Sequence, residues 1–434
     1  MALKTKKIRG TRDFSPVDTV KWQYVERTAL EVAANYGFGE IRPPVIEKTE
    51  LFIKSTGETT DVVQKEMYSF EKGRENITLR PEITPGAVRL ALENNLMAEA
   101  LPLKVAYVGP CFRHENPQAG RYRQFTQFGI ECFGAADPSA GVEVMCVAKE
   151  LLERLGIGDV VLHVNSIGCP QCRPVFNQKL VEYFRSHEED LCDTCKDRLE
   201  RNPLRLLDCK ETGCQALAAK APSTIQNLCP DCADHFDGLK KRLDAVGIPY
   251  QVDPFVVRGL DYYTRTVFEF MSDKIGAQST VCGGGRYDSL VESMGGPATP
   301  GLGFGMGLDR ILMVMEQVGA PFPQAKPCDL YIGGMGEEEN IRALALCTTL
   351  RQEGFHAQCD TMKRSVKAQM KYADKIGAAF SCIIGSNELE QGTVRVKNMQ
   401  DGAAEDVALT AQALTAFLYK QYAARIDTAD LASL

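Results

Sequence analysis

No stretch of the chain is apolar for long enough to cross a bilayer, which sets aside a helical membrane protein. The basic start, MALKTKKIRG, has no apolar run behind it and does not read as a secretory leader. No internal repeat is found, which sets aside solenoids and propellers. A surplus of positive charge is also missing. The net charge of −7 argues against indiscriminate nucleic-acid binding, though not against a local basic groove. The expectation is a cytoplasmic protein with no membrane partner.

What is present is ordinary in amount and uneven in placement. The 434 residues suit two or three domains, and 44% hydrophobic with 25% charged residues is a normal globular balance. Sixteen cysteines are many for a chain expected where stable disulfides are unusual. Eight of them form four pairs: Cys169 and Cys172, Cys192 and Cys195, Cys209 and Cys214, Cys229 and Cys232. The sequence between the pairs is helical and charged, so 168–240 reads as an inserted helical subdomain. The pairs suit one or two four-cysteine zinc sites, with His235 as a spare ligand; free buried thiols or redox-labile pairs are the alternatives.

The segment from Tyr107 to Gly134 carries the densest chemistry. Two apolar-alternating runs flank a loop rich in Asn, Pro, Gly and Arg, which predicts an antiparallel hairpin. Arg113 and Glu115 are expected on one face of its first strand. Phe125, Gln127, Gly129 and Glu131 are expected on one face of the second. Charged groups and a ring on a rigid sheet suit a small, charged, planar ligand; a solvated face with scattered ion pairs is the alternative.

Around the hairpin, a helix is expected from Thr19 to Tyr36, then a strand over 41–46 interrupted by Pro43 and Pro44. Glu82, Ile83 and Thr84 sit where a short strand enters a helix. RGLDYYTRTVFEF reads as strand-rich, and GLGFGMG as a strand entering a helix at Leu308. After the Pro-rich 319–327, strands and helices alternate in a second, α/β unit. The divisions expected are 1–325, 326–422 and a tail at 423–434.

Pro44 in its strand, Arg113 in FRHE and Arg310 in GLGFGMGLDR resemble, in that order, the three motifs of class II aminoacyl-tRNA synthetases. TLRPE followed by Thr84, GRYRQFTQFGIECFG, STVCGGGRYDSLVE and above all RGLDYYTRTVFEF resemble histidyl-tRNA synthetases. The resemblance covers nearly the whole chain. It implies an α+β fold: an antiparallel-sheet catalytic domain with a helical insertion, plus a C-terminal α/β anticodon-binding domain. It also implies a homodimer, with Pro44 near the interface. The implied activity is a ligase reaction, histidine and ATP giving histidyl-adenylate, then transfer to the 3′ end of histidine tRNA.

The same resemblance assigns roles. Arg113 and Arg258 are the catalytic candidates, holding charge on the α-phosphate from two sides. ATP, with Mg2+, would meet Arg113, Glu115, Arg121, Phe125 and Arg310, Glu115 taking the adenine amino group or the magnesium ion and Arg310 the γ-phosphate or the adenine face. Histidine would meet Glu82, Ile83, Thr84, Arg113, Gln127, Glu131, Arg258, Tyr262 and Tyr263. Gln118 faces the tRNA acceptor end, and the basic run from Lys363 to Lys375 suits tRNA phosphates or a solvated helix face. Any one arginine alone would read as a surface ion pair, and the tyrosines alone as core. A catalytically inactive regulatory relative from histidine biosynthesis is the main rival. Against it stand the three arginines and the second unit.

Overall fold

The computed structural model describes residues 5–58, 60–272 and 280–423. The expected tail, Ala423 apart, lies outside them. The chain divides into two compact units, Met1–Pro323 and Gln324–Leu434.

The first unit is built on an eight-stranded sheet. Its order is Gly39–Glu40, Leu103–Phe112, Gln124–Phe133, Gly301–Gly307, Thr280–Arg286, Thr264–Met271, Val161–Ser166 and Tyr250–Val252. Only the two outermost pairings are parallel; the inner ones are antiparallel. Helices pack on one face. The first, Pro16–Asn35, starts at a Ser15–Asp18 capping box and buries Trp22, Val25, Ala29, Val32 and Ala33. Helices Pro138–Arg154, Pro230–Ala245 and Leu308–Val318 complete that core.

The other face is almost bare. Gly283, Gly305 and Gly129 stand in one cross-strand row, and Gly285, Gly303 and Glu131 in the next. A Cβ on Gly303 would collide with the Glu131 carboxylate and the Ile130 carbonyl. Strand alternation therefore lays Gln127 and Glu131 flat against glycines of the neighbouring strand.

Two expectations need correction. Pro43 and Pro44 do not interrupt one strand. They separate Gly39–Glu40, in the large sheet, from Ile46–Lys48, which joins Glu75–Leu79 and Tyr68–Lys72 in a three-stranded antiparallel sheet. Two residues that cannot donate to a ladder let the chain change sheets. Nor do Arg113 and Glu115 lie on a strand, which ends at Phe112. Arg113 adds one more rung, its N–H donating to the Arg123 carbonyl at 2.9 Å, and Glu115 is in the loop.

The insertion is helical, with Arg173–Arg185, Asp193–Arg201 and Thr212–Ala218 preceding Pro230–Ala245. The second unit has a five-stranded sheet ordered Ala357–Cys359, Leu330–Gly334, Phe380–Ile384, Thr393–Asn398 and Ala404–Ala408, parallel over the first three. The second unit also contains the helix Ser386–Gln391, between the third and fourth of these strands.

Gly303→Ala should lower thermal stability and abolish ligand binding on the bare face, since backbone as well as a side chain obstructs the new methyl group. Calorimetry and ligand titration check this; a variant with unchanged melting and binding would show that the strands separate freely.

Candidate active site

A cavity of about 720 Å3 opens over the bare face. The hairpin supplies Arg113, Glu115, Arg121 and Phe125 to its wall. The glycine-rich strand and the helix after it supply Gly305, Gly307, Asp309 and Arg310. Arg258, Glu269 and Thr280 close a third side, and Asp208, Cys209, Lys210 and Gln215 of the insertion a fourth.

Each arginine is aimed by a fixed acceptor. Arg113 Nε donates to the Pro81 carbonyl at 2.9 Å, and its guanidinium lies 5.5 Å from the Phe125 ring centre. Arg310 Nη1 donates to the Thr280 carbonyl at 2.6 Å. Arg258 Nη1 donates to Glu269 Oε1 at 2.5 Å, while Glu269 Oε2 accepts from the Thr280 hydroxyl at 2.6 Å. Glycine at 283 leaves room for the Arg258 guanidinium to lie on the sheet. Burial, then nearby Arg121, lowers the proton affinity of Arg310. Guanidinium stays charged under such pressure, so the four arginines offer fixed cations to phosphate-like oxygens, beside the carboxylates Glu115, Asp208, Asp253, Glu269 and Asp309 on the same wall.

Beneath this cavity lies a pair of buried carboxylates. Glu82 accepts from the Thr56 hydroxyl and the Tyr262 hydroxyl, each at 2.9 Å. Glu131 accepts from Thr84 at 2.6 Å, Tyr107 at 2.8 Å and Tyr287. Burial raises the pKa of both, to about 7 for Glu131. Arg113 is the main opposing influence on Glu82; hydroxyl donors oppose it at Glu131. Tyr262 and Tyr263 stack obliquely at 4.7 Å, and Arg258 sits 5.6 Å from the Tyr263 ring centre. Gln127 Oε1 accepts from the Cys111 thiol at 3.4 Å. The set suits a small ligand with an ammonium group and a polar ring.

The sequence candidates thus fall in two layers. Arg113, Glu115, Arg121, Phe125, Arg258 and Arg310 line the cavity; Glu82, Thr84, Glu131, Tyr262 and Tyr263 form the buried layer, with Gln127 half-buried beside them. Ile83 turns elsewhere. Its side chain packs with Ala87, Tyr107 and Cys111 and lines a separate cavity. Gln118 is exposed in the hairpin loop, bridged to Arg121 through backbone bonds of 2.9 and 3.2 Å. Sequence reasoning missed Thr56, Tyr107, Glu269 and Tyr287. Period-two spacing gives a signal for Glu269 only, which alternates with buried Phe268 and Phe270.

The eight insertion cysteines gather as two four-thiol clusters, Cys169 with Cys172, Cys229 and Cys232, and Cys192 with Cys195, Cys209 and Cys214. Sulfur separations include 3.7 Å for Cys169 to Cys172, 3.8 Å for Cys169 to Cys229 and Cys172 to Cys232, and 3.9 Å for Cys192 to Cys209. A disulfide needs about 2.05 Å. A tetrahedral metal with bonds of about 2.3 Å places sulfurs about 3.8 Å apart. Backbone N–H groups of Cys169 and Cys192 donate to Cys172 and Cys214 sulfurs at 3.2 and 3.3 Å. Cys192 and Cys229 each precede a helix N-terminus. His235 belongs to neither cluster; both its ring nitrogens are buried without a partner among the described residues.

Residues 10–311 match the family model for histidyl-tRNA synthetase, and residues 331–416 that for an anticodon binding domain. The histidine–tRNA ligase of Acetivibrio thermocellus is 51% identical over 406 residues, 93% of this chain and 97% of that protein. That of Desulforamulus reducens is 50% identical over the same shares. The solved apo histidyl-tRNA synthetase of S. aureus matches with a TM-score of 0.81 and 36% identity, over 95% of this chain and 99% of that one. An ATP phosphoribosyltransferase regulatory subunit/histidyl-tRNA synthetase from Bacillus halodurans C shares the fold at 20% identity and a TM-score of 0.60, over 88% of this chain and 100% of that one.

Infrared difference spectra should contain a buried carboxylic-acid band that is present below pH 7, fades above it and is missing in Glu131→Gln. Its absence at pH 6 would mean that the three hydroxyl donors outweigh burial and keep Glu131 ionised.

Proposed function

This chain belongs to the histidyl-tRNA synthetase family, and we propose that the two layers of its site divide the work of joining histidine to tRNA. It is a histidine–tRNA ligase of the class II, α+β fold. Histidine fits the buried layer. Glu82, Thr84 and Gln127 receive its ammonium group, Glu131 and Tyr263 receive the imidazole, and Tyr262 closes the pocket. ATP fits the cavity above, with the base against Phe125 and the phosphates among the arginines.

The carboxylate of histidine attacks the α-phosphorus. A carboxylate–phosphorus bond forms, the bond to the β-phosphate bridging oxygen breaks, and pyrophosphate leaves. Arg113 and Arg258 hold the negative charge that builds on the α-phosphate oxygens. Arg121 and Arg310 take the β- and γ-phosphates. Glu115 and Glu269, carboxylates on the cavity wall, would hold the Mg2+ that accompanies ATP, which would offset phosphate charge there. The terminal ribose hydroxyl of the tRNA then attacks the adenylate carbonyl and AMP departs. A pocket built of hydrogen-bonding groups rejects amino acids that leave those groups unpaired, so no editing step is required.

The observation that carries this reading is the meeting of Arg113 and Arg258 in one cavity above Glu82 and Glu131. A non-catalytic regulatory role has no use for that set. Gln118 faces the acceptor end of the tRNA. Lys363, Lys367, Lys371 and Lys375 are exposed at four-residue spacing and meet phosphates, while Arg364 is held by Asp360 at 2.9 Å. Each four-thiol cluster of the insertion holds a structural Zn2+.

The working form is a cytoplasmic homodimer. Among the described residues no helix is long and apolar enough to cross a membrane. The three-stranded sheet turns Ile46, Tyr68, Phe70, Ile77 and Leu79 to one face by register, with Ile46 53% and Phe70 46% exposed. A second copy of the chain covers such a face.

ATP–pyrophosphate exchange should depend on histidine and on no other amino acid; exchange independent of histidine would sink the assignment. Arg258→Ala should lose about a hundredfold or more in exchange while still binding ATP, as removal of a charge-stabilising donor does. A near-normal rate would remove Arg258 from the mechanism. Ile46→Asp with Phe70→Asp should sediment as a monomer, and an unchanged dimer would place the interface elsewhere.

A further inference from the structure

We propose that the cluster of Cys192, Cys195, Cys209 and Cys214 is a zinc clamp that positions the loop bearing Arg258, so that a metal outside the cavity sets the geometry of catalysis within it. The inference rests on the zinc reading of the insertion and adds a task for one of its two sites.

The two clusters stand at different places in the chain. Cys169 and Cys172 follow the strand Val161–Ser166, and Cys229 and Cys232 open the helix Pro230–Ala245. That cluster joins the two ends of the insertion at its root. The other lies wholly inside the insertion, where Cys195 and Cys209 bracket the segment 196–208. After Arg201 this segment has only the 3-10 turn Pro203–Leu206. Pinning both ends of so irregular a stretch removes much of its conformational freedom.

The bracketed segment is the part of the insertion that holds the catalytic loop. Asn202 Nδ2 donates to Asp261 Oδ1 at 2.7 Å. Arg205 lies across Gly259, where a Cβ would stand 2.6 Å from its Nη1. Arg205 is in turn fixed by Asp208 at 3.2 Å, and Asp208 also faces Arg198 at 3.8 Å. On the far side of the loop the Asp261 N–H donates to the Thr56 carbonyl at 3.2 Å, and the Thr56 hydroxyl donates to Glu82. Contacts from the segment therefore hold the chain just after Arg258, at residues 259 and 261. Asp208, Cys209 and Lys210 share the cavity wall with Arg258 itself. Metal at the cluster thus tightens a set of contacts that runs from Cys209 through Asp208 and Arg205 to Gly259, the residue after Arg258.

The root cluster touches the same loop differently. Arg173, next to Cys172, donates to the Tyr263 carbonyl. Its loss would loosen the whole insertion, so the inner cluster gives the cleaner test.

Zinc per chain, measured by elemental analysis on protein purified under reducing conditions, is compared with ATP–pyrophosphate exchange for wild type, Cys192→Ser, Cys192→His and Asn202→Ala. The wild type should carry two zinc ions and Cys192→Ser one. In Cys192→Ser kcat should fall about tenfold or more while the KM for ATP moves less than about threefold, the split expected when a transition-state contact is displaced. Cys192→His keeps a zinc ligand and should restore both the second zinc and kcat. Asn202→Ala should keep two zinc ions and lose kcat in the same manner. Wild type without zinc would overturn the metal reading and the clamp together. Two zinc ions in wild type, one in Cys192→Ser and an unchanged kcat would overturn the clamp alone. Should Cys192→Ser not fold, Asn202→Ala decides, and a normal kcat there overturns the clamp.

Discussion

The site depends on a sheet face that carries almost no side chains. Glu269, Gly283, Gly305, Gly129 and Tyr107 form one row across five strands, with Val267, Gly285, Gly303, Glu131 and Val105 beside it. Glycine weakens a strand, because it packs nothing and loses the most freedom on folding. Here the missing side chains create a floor against which the Arg258 guanidinium lies, over Gly283. The helices on the opposite face, with Phe128, Phe304 and Phe268 beneath them, offset that weakness with a dense core.

A second constraint is the balance of charge across the thickness of the site. Arginines and carboxylates alternate around the open cavity, five cationic side chains facing five acidic ones, whereas the buried layer has carboxylates and hydroxyls and no cation of its own. On the reading proposed above, the histidine ammonium group meets the buried carboxylates while its carboxylate and the ATP phosphates meet the cavity arginines, so that nucleophile and phosphorus come together at the boundary between the layers. Arg113 lies on that boundary, its Nε bonded to the Pro81 carbonyl next to Glu82 and its guanidinium against Phe125.

Much of this was legible in the sequence where motif and local structure coincide. The hairpin, the entry to the helix at Thr84 and the glycine-rich strand leading to Leu308 follow from alternation, glycine and proline placement. RGLDYY was legible as a motif, though 253–263 forms no strand. Tyr107, Tyr287 and Thr56 were not legible as site residues: each meets its carboxylate through tertiary packing, and apolar neighbours disguise the tyrosines as core. Ile83 shows the converse: it stands between Glu82 and Thr84 in the chain, yet its side chain packs with Ala87, Tyr107 and Cys111 because the chain turns into a helix there. The cysteine clusters show the same limit. Four pairs announce a metal-sized pattern, but the pairing of first with fourth and second with third is a property of the fold.

The parallel pairing of Val161–Ser166 with Tyr250–Val252 bears on how such a chain can diverge. Parallel neighbours need a crossover, and the helix Pro230–Ala245 alone serves as one, burying Phe236, Leu239 and Leu243 in the main core. Everything between Cys169 and Cys229 is extra length within that crossover. Its length can change without altering the order of the strands, but not without altering the cavity, since Asp208, Cys209, Lys210 and Gln215 form one of its walls.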